Sequence, residues 1–325
     1  MKVLHVTNAY PSNKSPIYGV FIKEQIESLG RPELKERVFF INAKHKGKIE
    51  YLKSFFRLLF IVRKFDIIHC HHVFCALVVL FTFPKAKVLV SFLSDGTKEF
   101  TFKSRVPFSK PLYNYILKKS DGRIFKSPIP AFLINDKYTF HLPNGVNTNL
   151  FSPVDKHDAK RKICLDQSKK YILFVSSNIT DRPEKRYDLF KKTLEILKSK
   201  YNHSEIEELL MINIEREIVP FYFNASELHL LTSDVEGSPN SVKESMSCNI
   251  PVVSTAVGNV KDMLQDVENC YVSSTNDPAE LARYCNKILM FENQFNIRES
   301  IFKKKLDIIS KSKELENIYE TLLLK

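Results

Sequence analysis

Residues 232–254 read TSDVEGSPNSVKESMSCNIPVVS. An apolar run leads into Thr232, a turn of Gly237, Ser238, Pro239 and Asn240 follows, and an amphipathic stretch over 241–248 gives way to the β-branched run 250–256. This strand, turn, helix, strand order is the repeating unit of a parallel sheet with covering helices. Ser238 reads as the helix N-cap and Pro239 as the first helical residue, where a missing N–H costs nothing. A helix starting there points unpaired backbone N–H groups and the positive end of its dipole at an incoming anion. Gly237 lets a ligand approach the backbone closely. Two carboxylates bracket this anion site. Glu244 lies five residues past Pro239, about 7.5 Å along the helix; it suits the hydroxyls of a vicinal diol such as a ribose. Glu236 precedes the turn, where another hydroxylated group fits. Carboxylate, phosphate site, carboxylate is a cradle for a sugar–diphosphate–ribose chain.

Working outward, strands are expected at 2–9, 37–43, 65–72, 86–93 and 122–127, with helices at 19–29 and 109–120. The segment 141–153, HLPNGVNTNLFSP, breaks the pattern with turn residues and reads as a linker. A second series follows, with strands at 170–177, 207–213, 228–233 and 250–256 and helices at 186–201, 241–248, 277–290 and 313–325. The expected fold is α/β: two doubly wound, Rossmann-like domains, 1–153 and 154–307, facing across a cleft. A chain of 325 residues exceeds what one core usually supports, in agreement with two domains.

A composition of 44% hydrophobic and 26% charged residues excludes a disordered chain. The longest apolar run, 74–83, falls short of the ~20 residues a membrane span needs. The N-terminus enters a strand at once, without a secretory leader pattern. Six cysteines without a C-x-x-C pair read as reduced thiols in a cytoplasm. Charge is uneven: residues 1–150 carry 24 Lys+Arg against 10 Asp+Glu, and the remainder 25 against 27. The excess belongs to the first half, where 44–65 and 98–120 interleave Lys and Arg with aromatic and aliphatic residues. That pattern suits an anionic membrane face or solvated core helices; no nucleic-acid-binding motif occurs, and no nucleic acid is expected as partner.

The block 224–264, NASELHLLTSDVEGSPNSVKESMSCNIPVVSTAVGNVKDML, closely resembles the donor-binding core of retaining glycosyltransferases of family 4, which have the GT-B fold and an E-x7-E motif, here Glu236 and Glu244. YPSNKSPIYGVFIKEQIESL (10–29), DIIHCHH (66–72), LPNGVNTNLFSP (142–153) and ILFVSSNITDRPEKRYDLF (172–190) fit that family in order and position. The resemblance implies an N-terminal acceptor domain, a C-terminal donor domain, and a last helix, about 308–325, that packs back on the N-terminal domain. It implies that Glu244 holds the donor ribose, that Glu236 contacts the donor sugar, and that Gly237, Ser238, Pro239, Asn240 and Ser241 lie beside sugar and diphosphate. Arg182 and Lys185 would answer the charge of the departing diphosphate. Such transferases need no divalent metal, and no Asp-x-Asp motif occurs here. No cofactor is implied beyond the nucleotide-sugar co-substrate.

On the acceptor side the candidates are Gly19, His71 and Asp95. His69 and His71 share a strand face without further metal ligands placed by the sequence, which favours packing or polarity over a metal site; no metal is assigned. Two departures stand out. The His-Gly pair that many relatives carry after the fourth strand is replaced near Leu93 and Ser94, and a loop glycine is replaced by Ser176 and Ser177. The implied activity is retaining transfer of a sugar from a nucleoside diphosphate, UDP ahead of GDP, to a glycan or polyprenyl-diphosphate-linked acceptor in surface-polysaccharide (capsule or lipopolysaccharide) assembly. The enzyme would be cytoplasmic and peripheral on the inner membrane face. A non-catalytic nucleotide-sugar-binding subunit and a nucleotide-sugar epimerase of the same fold are the alternatives.

Overall fold

The computed structural model describes residues 1–30, 34–93, 109–291 and 294–325, and these divide into two compact units, 1–144 with 309–325, and 145–308. Both units are built on parallel sheets.

In the first unit, β1 (Lys2–Thr7), β2 (Lys35–Phe40), β3 (Ile67–Cys70), β4 (Lys87–Phe92), β5 (Gly122–Phe125) and β6 (Thr139–His141) lie in the order β2-β1-β3-β4-β5-β6. The helices here are α1 (Val20–Glu27), α2 (Ala43–Lys46), α3 (Ile49–Ile61), α4 (Val73–Leu80) and α5 (Ser109–Lys119). Alternate strand residues serve opposite faces. Leu4, Val6, Ile68, Val88 and Val90 pack with α4 and α5, whereas Val3, Ile67, Leu89 and Ile124 need a second cover. The last helix supplies it: Leu315, Ile318, Tyr319 and Leu322 close that face. Gly122 permits the approach, since a Cβ there would meet the Leu322 side chain at 2.8 Å.

In the second unit, β7 (Lys170–Ser176), β8 (Ile206–Ile212), β9 (Leu228–Leu231), β10 (Val252–Thr255) and β11 (Tyr271–Ser273) lie in the order β11-β10-β9-β7-β8. Its helices are α6 (Lys156–Lys162), α7 (Tyr187–Lys200), α8 (Val219–Asn224), α9 (Asn240–Ser247), α10 (Val260–Leu264), α11 (Pro278–Leu289) and α12 (Glu299–Lys303), and α13 (Ile308–Leu323) then returns to the first unit. Tyr171 and Leu173 face one core, Ile172 and Phe174 the other.

Two expectations need correction. The division falls after Asn144, not at 153, because the Val146 N–H donates to the Leu306 carbonyl, the Ile308 N–H donates to the Val146 carbonyl, and Phe151 is part of the second unit's core. The segment read as pure linker opens with a strand residue of β6, which pairs with β5. The apolar run 74–83 forms most of α4, a helix started by the His72 side chain, whose Nδ1 accepts the Phe74 N–H at 3.2 Å.

The face under α13 is polar at one place. His69 hydrogen-bonds Tyr319 through Nδ1 and Ser91 through Nε2, each at 2.8 Å, and all three are buried. Tyr319→Phe should strand a buried ring nitrogen at a cost of about 1–3 kcal/mol, and Leu322→Ala should cost about 2–5 kcal/mol through the cavity it leaves. Thermal unfolding checks both; unchanged midpoints would show that α13 does not hold the first unit together.

Candidate functional site

In each sheet the strand order reverses once, between β1 and β3 and between β7 and β9. The carboxyl ends of strands beside such a reversal are where open α/β sheets bind ligands, because neighbouring connections leave in opposite directions. In the second unit those ends deliver Ser176, Ser177 and the loop 232–239, the stretch singled out by sequence.

That loop is tied down on two sides. The Thr232 hydroxyl donates to the carbonyls of Lys185 (2.9 Å) and Arg186 (3.1 Å), and the Asp234 N–H donates to the Glu184 carbonyl at 2.8 Å. Across it, the Thr255 hydroxyl donates to the Ser233 carbonyl at 2.6 Å and the Asn259 N–H to the Gly237 carbonyl at 3.1 Å. Gly258 makes the second contact possible: its φ is +52° and a Cβ would lie 2.1 Å from the Gly237 oxygen.

Held this way, Glu236 accepts the Lys185 ammonium at 2.5 Å and the Ser233 hydroxyl at 2.9 Å, with Lys185 and Glu236 both about 15% exposed at their side chains. Arg182 does not join them. It pairs with Glu184 and reaches the Ser177 hydroxyl at 3.4 Å. Arg186 is bound to Asp188 (2.9 Å) and Asp234 (3.1 Å), partners that raise its already high pKa, and so serves to brace the loop.

α9 begins one residue later than the sequence suggests. Pro239, with extended ψ, occupies the N-cap position, the helix starts at Asn240, and no side chain caps it. Ser238 is otherwise engaged, since its hydroxyl lies 3.2 Å from Nζ of the fully buried Lys243. Ser241 hydrogen-bonds His229 Nε2 at 3.1 Å, and His229 Nδ1 faces the Leu173 carbonyl at 3.1 Å. A carbonyl only accepts, so Nδ1 carries the proton and Ser241 donates to Nε2. Burial holds His229 at about 4, well below the ordinary 6.5. One turn on, Glu244 accepts Arg216 Nη1 at 2.7 Å, and the Arg216 guanidinium sits 4.5 Å above the Phe151 ring.

In the first unit, Gly19 has φ +74° and a Cβ would lie 2.3 Å from the Ala9 backbone, so only glycine fits where the chain after β1 passes the start of α1. His71 is buried, 3.0 Å from His5 Nδ1 and stacked 4.1 Å above His69. Its ring belongs to a polar stack inside the unit, at odds with a role lining an acceptor pocket. Desolvation, with the neighbouring rings and Lys126, pushes His69 and His71 well below the ordinary value. Asp95 and Ser94 lie outside the described residues.

The structure thus brings together Glu236 with Lys185, and seats Ser241 and Glu244 on one short helix. Sequence reading missed Arg216, His229, Lys243 and Gly258. A histidine amid the apolar β9 and a glycine three residues after the strand β10 were visible signals; nothing in the sequence paired Arg216 with a residue 28 positions away.

Residues 210–305 match the model of the family described as glycosyl transferases group 1. A probable sucrose-phosphate synthase of Thermosipho melanesiensis is 29% identical over 164 residues, 44% of this chain and 38% of that protein, so the chain spans well under half of that relative. Among solved structures, sucrose-phosphate synthase from Thermosynechococcus elongatus aligns with a TM-score of 0.75 at 15% identity over 100% of both chains. The Anabaena protein HepE, solved in complex with UDP, aligns at 0.72 and 14% identity over 99% of this chain and 100% of that one. The fold is GT-B: two Rossmann-like, parallel-sheet units.

Two predictions follow from the loop and its histidine. Gly258→Ala should displace the Gly237 carbonyl and lower the unfolding temperature by several degrees, through a clash and a φ that disfavours any side chain; an unchanged midpoint would show that the contact is dispensable. His229 stays neutral when folded while the unfolded chain takes up a proton below 6.5, so its contribution is complete above pH 6.5 and declines as pH falls toward 4. His5, held at about 3, and His72, at about 4, act in the same direction. Melting temperatures should drop steadily across that window, and a flat profile would contradict the neutral histidines.

Proposed function

We propose that this chain is a glycosyltransferase that moves a sugar, with retention, from a nucleoside diphosphate, UDP ahead of GDP, to a glycan or lipid-linked glycan in surface-polysaccharide assembly. It works as a peripheral protein on an anionic membrane face. One observation carries the reading: the uncapped start of α9 lies between two carboxylates that each hold a cation, Glu236 with Lys185 and Glu244 with Arg216. The family match over 210–305 contains Glu236, Glu244 and Arg216, and HepE with its UDP shares the fold.

On this reading the free N–H groups at the start of α9 receive the diphosphate. Glu244 accepts the ribose hydroxyls in an orientation that Arg216 holds. Lys185 answers the charge that builds on the departing diphosphate, and because Glu236, itself held by Ser233, fixes it beforehand, little reorganisation is needed in the transition state. Glu236 lies at the sugar and positions it; the acceptor hydroxyl oxygen attacks the anomeric carbon on the face the diphosphate leaves, as the bond from that carbon to the diphosphate oxygen breaks, and the hydroxyl proton passes to the departing diphosphate. Arg182 acts from the Ser177 loop, on the phosphate side. No metal or cofactor takes part.

The experiment is a thermal-shift panel with UDP, GDP, ADP, CMP and dTDP on the native chain and on Glu244→Gln, which keeps the side-chain volume. A nucleotide at ~100 times its Kd should add ~2.7 kcal/mol of stability, UDP is the expected responder, and the variant should lose the shift. Lys185→Met should then lower kcat by about tenfold or more with a smaller effect on donor binding. A shift with no nucleotide would overturn the reading, as would equal losses in kcat and binding for the lysine assignment.

A further inference from the structure

The first unit carries a helix whose apolar side faces out. α3 buries Glu50, Ser54 and Leu58, and exposes Ile49, Leu52, Phe56 and Phe60, the last by 79%. At about 100° per residue these four fall within an arc of roughly 80°. The usual arrangement of a surface helix is the reverse. Exposed cations border the ridge: Lys53 and Arg57 along its side, Arg63 and Lys64 beyond its end, Lys46 and Lys48 before its start.

The acidic groups beside it are engaged. Glu50 is buried and takes Arg57 at 3.1 Å, and Asp66 accepts the Lys2 backbone N–H at 2.7 Å. Arg63 also lines a cavity of about 590 Å³ with Asp66, Lys85 and Lys87, which places the end of α3 beside the start of β4. Phe83, two residues before Lys85, is 82% exposed and lines a neighbouring depression with Ala86, a residue that also lines the first cavity.

We propose that α3 and this edge form a docking surface for an anionic lipid bilayer. The side chains of Leu52, Phe56, Phe60 and Phe83 enter the acyl boundary, the bordering cations meet lipid phosphates, and the cavity of Arg63, Lys85 and Lys87 holds one headgroup. An apolar ridge with a cationic border is what an interfacial helix requires. A second copy of the chain fits worse, because pairing two such faces would bring cationic borders together. A nucleic acid would engage the cations and leave the aliphatic ridge uncovered. No helix among the described residues is long and apolar enough to cross a membrane. The inference rests on the peripheral placement proposed above, and gives it residues.

The test is co-sedimentation of the full chain with vesicles of phosphatidylcholine alone or mixed with phosphatidylglycerol. Phe56→Ser/Phe60→Ser and Lys53→Glu/Lys64→Glu are compared with the native chain, and the UDP thermal shift is recorded on the same samples. All four side chains are exposed, so the variants should fold, and an unchanged melting temperature confirms it. The native chain should bind only the phosphatidylglycerol vesicles, less so at high salt, and each double variant should bind about tenfold more weakly. Undiminished binding in both variants, or equal binding to neutral vesicles, would overturn the proposal. So would a dimer in solution that Phe56→Ser/Phe60→Ser dissolves while vesicle binding is absent. Loss of the UDP shift with the vesicle pattern intact would remove the transferase reading and leave this one standing.

Discussion

A parallel sheet must be covered on both faces, and in the first unit the second face is covered by residues from the far end of the chain. Val3, Ile67, Leu89 and Ile124 have no partner of sufficient area until Leu315, Ile318, Tyr319 and Leu322 arrive. The chain therefore leaves the first unit at Asn144, completes the second, and returns at Ile309. The outgoing and returning segments run side by side: the Val146 N–H donates to the Leu306 carbonyl, the Ile308 N–H donates to the Val146 carbonyl, and Gly145 carries no side chain where a Cβ would lie 2.5 Å from the Ile308 Cα. The first sheet's core is thus completed out of sequence order, whereas the second unit's is built from one continuous stretch.

The same logic explains how the loop of the candidate site is held. Loops at the end of parallel strands have no ladder of their own, so their backbone groups must find partners elsewhere. Here the backbone of the loop 232–239 borrows them from Glu184 on one side and from Thr255 and Asn259 on the other, and the Thr232 hydroxyl adds bonds to the Lys185 and Arg186 carbonyls. The Lys185–Glu236 contact at 2.5 Å then joins two loops that are already fixed. Removing one member of such a mostly buried pair leaves an uncompensated charge, a penalty of about 3–5 kcal/mol. Neither residue is interchangeable with a neutral one for reasons of stability alone, which is why kinetic and binding effects must be separated at these positions.

Much of this was legible in the sequence. Short β-branched runs located most strands, because fully buried parallel strands are nearly continuous in β-branched and aliphatic residues. The turn 237–240 was legible because glycine, serine, proline and asparagine each have a local reason to be there. Illegible were features set by contacts distant in sequence. Pro239 reads as a first helical residue, but a lysine at 243 that needs an acceptor draws Ser238 away from capping. His71 reads as a polar group near a strand end; only the position of β1 shows that it lies on His5, inside the unit. The interleaved basic and apolar residues of 44–65 left two readings open, and only the structure shows the inverted helix α3, with Glu50 inward and Phe60 outward.

The crossover from β8 to β9 shows how chain length bears on recognition. Only the fifteen residues between Ile212 and Leu228 connect them, and they hold one helix of six residues. So short a connection cannot build a broad wall beside the site. It does bring Arg216 against Glu244 and over Phe151, and Arg298 anchors the segment carrying that ring through the Phe151 and Thr148 carbonyls at 2.6 and 2.8 Å. If a nucleotide ribose binds Glu244, discrimination among bases has few side chains to rest on. A guanidinium already committed to a carboxylate and a ring offers a flat, cationic surface rather than a set of free donors. Selectivity drawn from shape and charge at one surface is weaker than selectivity drawn from hydrogen bonds to a base edge, since it leaves no buried polar group unpaired when the wrong base enters.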